Sequence, residues 1–421
     1  MKKSLYSVSS LYIHIPYCGS KCSYCDFFSL PAAGVPDEYV NALLQQFDWF
    51  EALGLVAPLE TVYFGGGTPS LLSCHQLKMI MNRLQGFLAE NAEVTLEVNP
   101  ESTSAELLET AKQCGINRIS MGIQSLKDEV LSCVGRCCTA ARTRQALQRL
   151  KESGLAFCTD LIAGLPGQEL TKQAHDEFLA DLEEVISYKP HHISLYSLTV
   201  AEGTRLYHQI EKGLIQWESE EADNQWILGR DCLEAAGYIQ YEVSNFAPPG
   251  QESRHNSAYW KQKSYLGLGA GGAGSLYHKD SQGRILEGFR YTNTTHTQQY
   301  MDFWNGKPYD GATKPDLHQV VTQDVQWEEL YKLLQTMIAE HEVLERETLS
   351  FEYIMLGLRM KEGLCGKEYF RRFEKKLDTA TFNRFVQQGW MKIVDEAEGF
   401  CGYSMTKEGL LFLNQILQEL L

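Results

Sequence analysis

Several absences narrow the field before any motif is considered. No stretch of the 421 residues approaches eighteen consecutive apolar side chains, and the opening MKKSLYSVSS leads into no apolar core of a leader. Neither a transmembrane helix nor a secretory signal is therefore expected. There is no low-complexity tract and no short-period repeat, which sets aside repeat arrays. Positive charge is in the minority: 38 Lys and Arg stand against 54 Asp and Glu, a formal net charge of −16. That balance argues against a protein that grips nucleic acid on a basic surface. Cysteine is too sparse for a disulfide scaffold, with twelve unevenly spaced residues and one tight group near the N-terminus. The expectation is a reducing, cytoplasmic setting in which clustered thiols bind metal or do chemistry. What is present is ordinary for a globular chain, 44% hydrophobic and 22% charged, enough for two or three domains or a large barrel with a smaller module.

Through the first half, strand-like apolar runs alternate with helical patterns. The strand candidates are Leu11–Ile15, Thr61–Phe64, Val94–Val98, Arg118–Ile123, Phe157–Ile162 and His192–Ser197. Helical periodicity covers Asp37–Leu53, His75–Leu88, Ala105–Cys114, Ala140–Ser153 and Ala174–Tyr188. Such alternation builds a parallel sheet with helices outside. Six units are fewer than a complete barrel requires, so the fold class expected is α/β, a partial (β/α)6 TIM-like barrel, with an open doubly wound sheet as the alternative. From about Gly237 glycine, proline and aromatics thicken and alternation stops, which reads as an extension wrapping the barrel. After about Pro315 the chain turns helical, with Trp327–Glu345, Tyr353–Lys361 and Tyr369–Leu377, then a hairpin (Met391–Val394 and Tyr403–Met405) and a last helix, Lys407–Leu420. The domains expected are thus 1–236, 237–314 and a C-terminal winged-helix-like module, 315–421. The hairpin carries Asp395, Glu396 and Glu398, and the helix before it offers only Arg384, so this module suits protein packing better than DNA.

Cys18-x3-Cys22-x2-Cys25 is the most informative group. Its spacing fits one face of a helix, but Pro16 and Gly19 are poor helix-interior residues. A zinc site with His14 as fourth ligand is a second reading. Three thiolates without an obvious fourth suit a [4Fe–4S] cluster whose remaining iron takes an external ligand. The run LYIHIPYCGSKCSYCDF resembles the radical S-adenosylmethionine (SAM) superfamily. It is most similar to the branch containing oxygen-independent coproporphyrinogen III oxidase and the HemW-type heme chaperones, and the resemblance extends over nearly the whole chain. It implies that Cys18, Cys22 and Cys25 hold the cluster, and that SAM chelates the open iron and is cleaved to methionine and a 5′-deoxyadenosyl radical on reduction.

The strand-end residues acquire meaning from the same resemblance. Gly65-Gly66-Gly67-Thr68-Pro69 reads either as a tight turn or as backbone that lets a ligand approach. By resemblance Gly66, Gly67 and Thr68 meet SAM's methionine end, and Glu97, Gln124, Arg136 and Asp160 join them, with Tyr12 and Tyr24 flanking the cysteine loop. Asp160 opens the run DLIAGLPGQ, which ends at Gln168. Their common place at strand ends suits the face on which α/β barrels build sites. Gly267-Leu268-Gly269-Ala270-Gly271-Gly272 matches the dinucleotide pattern, but no helix is expected after it, so that reading is rejected.

Two features separate the branches. The oxidase pattern continues with a cysteine where Phe27 stands, and it has a longer region before the cluster than the 17 residues here. Arg254-His255-Asn256-Ser257-Ala258-Tyr259-Trp260 instead resembles the chaperone's HNxxYW motif, which implies heme binding with His255 taking part. Departures are Cys137-Cys138, where the family commonly has a histidine after Gly-Arg, and Ala201-Glu202-Gly203-Thr204 in place of the usual Glu-Pro-Gly-Thr. The function expected is a heme chaperone that binds a [4Fe–4S] cluster, SAM and heme and delivers heme to an apo-hemoprotein, with a reducing electron donor. Anaerobic coproporphyrinogen III dehydrogenase is the alternative.

Overall fold

A computed structural model describes residues 6–167, 172–307, 326–337, 339–397 and 399–420. Gln168, Glu398 and the 314/315 boundary lie outside the described residues. Six parallel strands, β1 (Val8–Ile15), β2 (Val56–Gly66), β3 (Leu88–Val98), β4 (Arg118–Gln124), β5 (Ala156–Ala163) and β6 (His192–Ser197), stand side by side in chain order. A doubly wound sheet reverses its strand order at a switch point; this one never does. Each strand is followed by a helix that packs outside, the last being Ser219–Ala235. The partial barrel is therefore the fold, and the open-sheet alternative falls.

The strands explain why. Leu11, Ile13 and Ile15 of β1 are buried among the helices, whereas Tyr12 and His14 alternate onto the other face. The pattern recurs as Val62/Tyr63, Leu96/Glu97, Ile119/Ser120 and Ile193/Ser194, so the apolar faces meet the helices and the polar faces line the barrel. Side-chain caps fix helix starts, as where Ser104 Oγ accepts the Leu107 amide at 3.1 Å.

The extension continues the sheet at both ends. Leu266–Leu268 pairs parallel with β1, and Asn245–Ala247 pairs antiparallel with β6 and with Ile239–Gln240, making nine strands in all. The glycine-rich segment leads into a strand, Ala273–Lys279, and not a helix, in agreement with rejection of the dinucleotide motif. One expectation needs correction. Trp327–Glu345 is not one helix: Trp327–Leu334 is helical, but Ala339–Glu345 is a strand paired with Ile285–Asn293. Its side chains are nearly all exposed apart from Leu344, as an edge strand permits, and pairing with a neighbour overrides helical propensity. The last helix also divides at Phe412, into Lys407–Leu411 and Leu413–Leu420. Two C-terminal helices, Gly366–Phe373 and Thr379–Gln387, precede the hairpin Met391–Ala397/Phe400–Met405, whose Asp395 is exposed. They enclose a second hydrophobic core that includes Leu358, Tyr369, Phe385 and Tyr403.

Candidate functional site

The cysteine loop follows β1 and is held by backbone bonds on several sides. Tyr17–Cys18 pairs with Leu30–Pro31, the Ser23 amide donates to Val134 O at 2.9 Å, and the Leu206 amide donates to Ser23 O at 2.8 Å. These anchors hold Cys18, Cys22 and Cys25 along the wall of a cavity of about 480 Å3 at the C-terminal ends of the strands. Its volume falls within the ~300–1,000 Å3 usual for small-molecule and cofactor sites. All twelve cysteines are free thiols. Thr68 Oγ1 donates to Cys18 Sγ at 3.2 Å, and Arg136 approaches Cys22 Sγ at 3.9 Å. Burial pushes the Cys25 thiol up, while Lys21 favours its thiolate.

Among the described residues no three Cys, His, Asp or Glu groups converge on one point as ligands of a single ion. A cubane cluster binds each cysteine through a different iron, so its ligands stand apart on a loop, and this donor set fits that requirement. His14 is no fourth ligand here. Its Nε2 faces Phe28 O at 3.2 Å and its Nδ1 faces the Tyr12 hydroxyl at 3.0 Å.

The same cavity is lined by Tyr24, Gly66, Gly67, Thr68, Glu97, Gln124, Arg136 and Asp160. Gly67 is required by the protein itself, since a Cβ there would stand 2.5 Å from Tyr17 O. Gly66 has φ +117°, and a Cβ would meet the His14 ring at 2.8 Å. Gln124 adopts φ +65° although it is not glycine, a conformation that concentrates at functional sites. Arg136 donates to Gly122 O and, at 3.3 Å, to Asn99 Oδ1. Glu97 accepts the Tyr63 hydroxyl at 2.7 Å, and its carboxyl is pushed up to about 7, chiefly by burial with a contribution from Asp160. Burial likewise raises Asp160, against hydrogen bonds from Ser194 and Ser120.

Two expected residues lie elsewhere. Tyr12 does not line the cavity; its hydroxyl is taken by His14 and its ring stacks on Tyr63 with centroids 6.2 Å apart. His255, 1% exposed, sits in the barrel interior. Its Nδ1 is 2.8 Å from Thr61 Oγ1 and its Nε2 is 2.8 Å from the Tyr259 hydroxyl. The Tyr63 ring stacks on it at 5.1 Å, and burial pushes its pKa down to about 3. In this conformation neither ring nitrogen of His255 is free, so ligating heme would require it to give up both bonds. Nor do Tyr259 and Trp260 form an open platform, because Tyr259 bonds His255 and Trp260 lies under Arg359.

The helix carrying His255, Arg254–Trp260, plugs the barrel from below. Glu93 receives its first amides, Arg254 N at 3.1 Å and His255 N at 3.0 Å. Asn256 reaches the floor of the upper cavity, while Arg254, Ser257, Ala258 and Lys261 face a second cavity of about 880 Å3 beneath it. Arg118 borders both. The cavity-lining residues Tyr63, Ser120, His192 and Ser194 were absent from the sequence-based set. Alternation along the strands was the signal that points to them. His192 is notable because Nε2 meets the Tyr241 hydroxyl at 2.9 Å while Nδ1 has no partner among the described residues.

The fold and the cysteine-bearing strand-end cavity define a radical SAM protein, and the Radical SAM superfamily model matches residues 12–179. The heme chaperone HemW of Lactococcus lactis subsp. lactis is 32% identical over 371 residues, 87% of this chain and 85% of that one. HemW of Escherichia coli is 38% identical over 300 residues, 69% of this chain and 75% of that one. This chain belongs to the HemW family. In fold it is also similar to the coproporphyrinogen III oxidase HemN of Escherichia coli, with a TM-score of 0.74 at 20% identity, covering 99% of this chain and 90% of that one. Among the described residues no helix is long and apolar enough to cross a membrane.

Proposed function

We propose that this chain is a cytoplasmic heme chaperone in which Cys18, Cys22 and Cys25 hold a [4Fe–4S] cluster and SAM occupies the upper cavity. Heme is accepted beside the helix carrying His255 and passed to an apo-hemoprotein, and a reducing donor serves the cluster. The observation that carries this reading is the convergence of the three thiols with Glu97, Gln124, Arg136 and Asp160 on one cavity. The cluster would supply an iron with an open position and an electron for the bound sulfonium. The chain's own residues do the rest. Glu97 and Asp160 accept the amine or hydroxyl groups of the ligand, and Arg136 offsets the negative charge of the thiolates. The Gly66–Thr68 turn brings the ligand against backbone.

For heme, the lower cavity has the size of a cofactor site and shares a wall with the HNxxYW helix. Lys261 and Lys263 at its edge are paired with Glu362 at 3.1 Å and Glu60 at 3.9 Å, and either cation can turn to a propionate. Ligation by His255 requires its release from Thr61 and Tyr259. Titrating heme into the wild type and His255→Ala tests this, with weaker binding and an altered spectrum expected in the variant; identical curves and spectra would remove His255 as a ligand. Incubation with SAM, reductant and coproporphyrinogen tests the oxidase alternative, and appearance of protoporphyrinogen would overturn the chaperone reading.

A further inference from the structure

The two halves of the proposed site meet at one side chain. Tyr63 donates its hydroxyl to Glu97 Oε1 in the upper cavity, while its ring lies over the His255 imidazole with an interplanar angle of 21°. Both of its contacts carry function in the reading above, yet Tyr63 itself carries none there. His255 is otherwise held by Thr61 and Tyr259, so leaving its buried place means losing these two bonds and sliding from beneath the Tyr63 ring.

We propose that Tyr63 is a positioning residue that makes exposure of His255 depend on occupancy of the upper cavity. An amine-bearing sulfonium nucleoside engaging Glu97 competes for the oxygen that holds Tyr63, and a released Tyr63 uncovers the imidazole. The inference rests on the reading that SAM occupies the upper cavity. Its logic is a shift between a masked and an unmasked state, biased by a ligand that interacts differently with each. The carboxyl of Glu97, raised by burial, gains from a cationic partner. The masked state is the one in this structure, with the imidazole 1% exposed. Coupling is local, because Glu97, Tyr63 and His255 are in direct succession and no distant element has to move.

The test is deuterium exchange at the imidazole C2 position of His255, read by peptide mass spectrometry on the full chain with its cluster reconstituted. It is run with and without SAM, and equilibrium dialysis of SAM is run in parallel. In the wild type, SAM is expected to accelerate exchange at His255 by about tenfold, the equilibrium equivalent of one hydrogen bond to a charged group. In Tyr63→Phe, which keeps the ring but not the hydroxyl, exchange is expected to be fast without SAM and unchanged by it. Tyr331→Phe, whose hydroxyl meets Gln335 in an exposed pair away from this set, is expected to respond like the wild type. SAM binding without acceleration in the wild type overturns the coupling alone, as does a Tyr63→Phe protein that still responds. Absence of SAM binding overturns the reading of the upper cavity and the coupling with it. The wild-type comparison needs no variant, so the proposal stays exposed even if Tyr63→Phe fails to fold.

Discussion

Replacing Glu97 with glutamine probes the electrostatics of the upper cavity with almost no change of shape. The carboxyl rises from an ordinary 4.5 to about 7 in the folded chain, because burial and Asp160 outweigh the Tyr63 hydroxyl and the Gly66 amide. An acid with a higher pKa folded than unfolded contributes stability that is complete below the unfolded value and is lost as pH rises through the folded one. For Glu97 the window runs from 4.5 to about 7. The gap sets a ceiling of about 3 kcal/mol, and water in the cavity reduces it to about 1–2 kcal/mol. Glutamine keeps an oxygen to accept the Tyr63 hydroxyl but never ionises. Urea unfolding followed by tryptophan fluorescence, on both proteins at about pH 5 and about pH 8, isolates the effect because other groups cancel in the comparison. Glu97→Gln is expected to be close to the wild type at the lower pH and more stable at the higher one. It is also expected to bind SAM about tenfold more weakly, having lost a charged acceptor. A difference that stays constant, or that shrinks as pH rises, refutes the assignment of a carboxyl raised by burial.

Other predictions follow from the same geometry. Alanine at Cys18, Cys22 or Cys25 is expected to abolish iron binding and visible absorption after anaerobic reconstitution, whereas alanine at the exposed Cys137 leaves both intact. Gly164→Ala is expected to lower stability by about 2–4 kcal/mol in thermal or urea unfolding, combining left-handed backbone strain with overpacking. The glycine has φ +77°, and an added Cβ would lie 2.2 Å from Ala222 Cβ. Phe27→Cys is expected to leave stability within about 0.5 kcal/mol, because the side chain is 66% exposed. It is not expected to confer coproporphyrinogen decarboxylation, which an assay for protoporphyrinogen checks.

The sequence and the structure agree best where periodicity was strict. His192–Ser197 and Ala140–Ser153 have the bounds their patterns imply, and three other barrel strands gain one to three residues, whereas Thr61–Phe64 and Val94–Val98 lengthen to Val56–Gly66 and Leu88–Val98. Where alternation coincided with charge, the reading failed: Ala339–Glu345 has one buried side chain, Leu344, too little to distinguish an edge strand from the end of a helix. The surroundings of His255 were not legible for another reason. Its partners Thr61 and Tyr63 lie nearly two hundred residues away, and only closure of the barrel around the plug helix brings them to it. A motif names a residue without saying whether its polar atoms are already used.

Polar side chains alternate with apolar ones along the whole length of the strands, not only at their ends. A complete eight-stranded barrel fills its interior with layers of branched apolar side chains. Here the inward positions include Tyr12 and His14, Thr61 and Tyr63, Glu93, Thr95 and Glu97, Arg118 and Ser120, Cys158 and Asp160, and His192 and Ser194. Burying so many polar groups is unfavourable unless each finds a partner. Most do, through the Tyr63–Glu97, His255–Thr61 and His192–Tyr241 bonds. An interior of this kind contributes less to stability than an apolar core of the same volume, so the outer helices and the two added sheet ends must hold the barrel together. What it provides in return is a continuous set of hydrogen-bonding groups from the cysteine loop down to the plug helix. In this six-stranded barrel, then, many of the inward strand residues belong to the candidate site, among them Tyr63, Glu97, Ser120, Asp160, His192 and Ser194. The face beside the loops is only its upper edge.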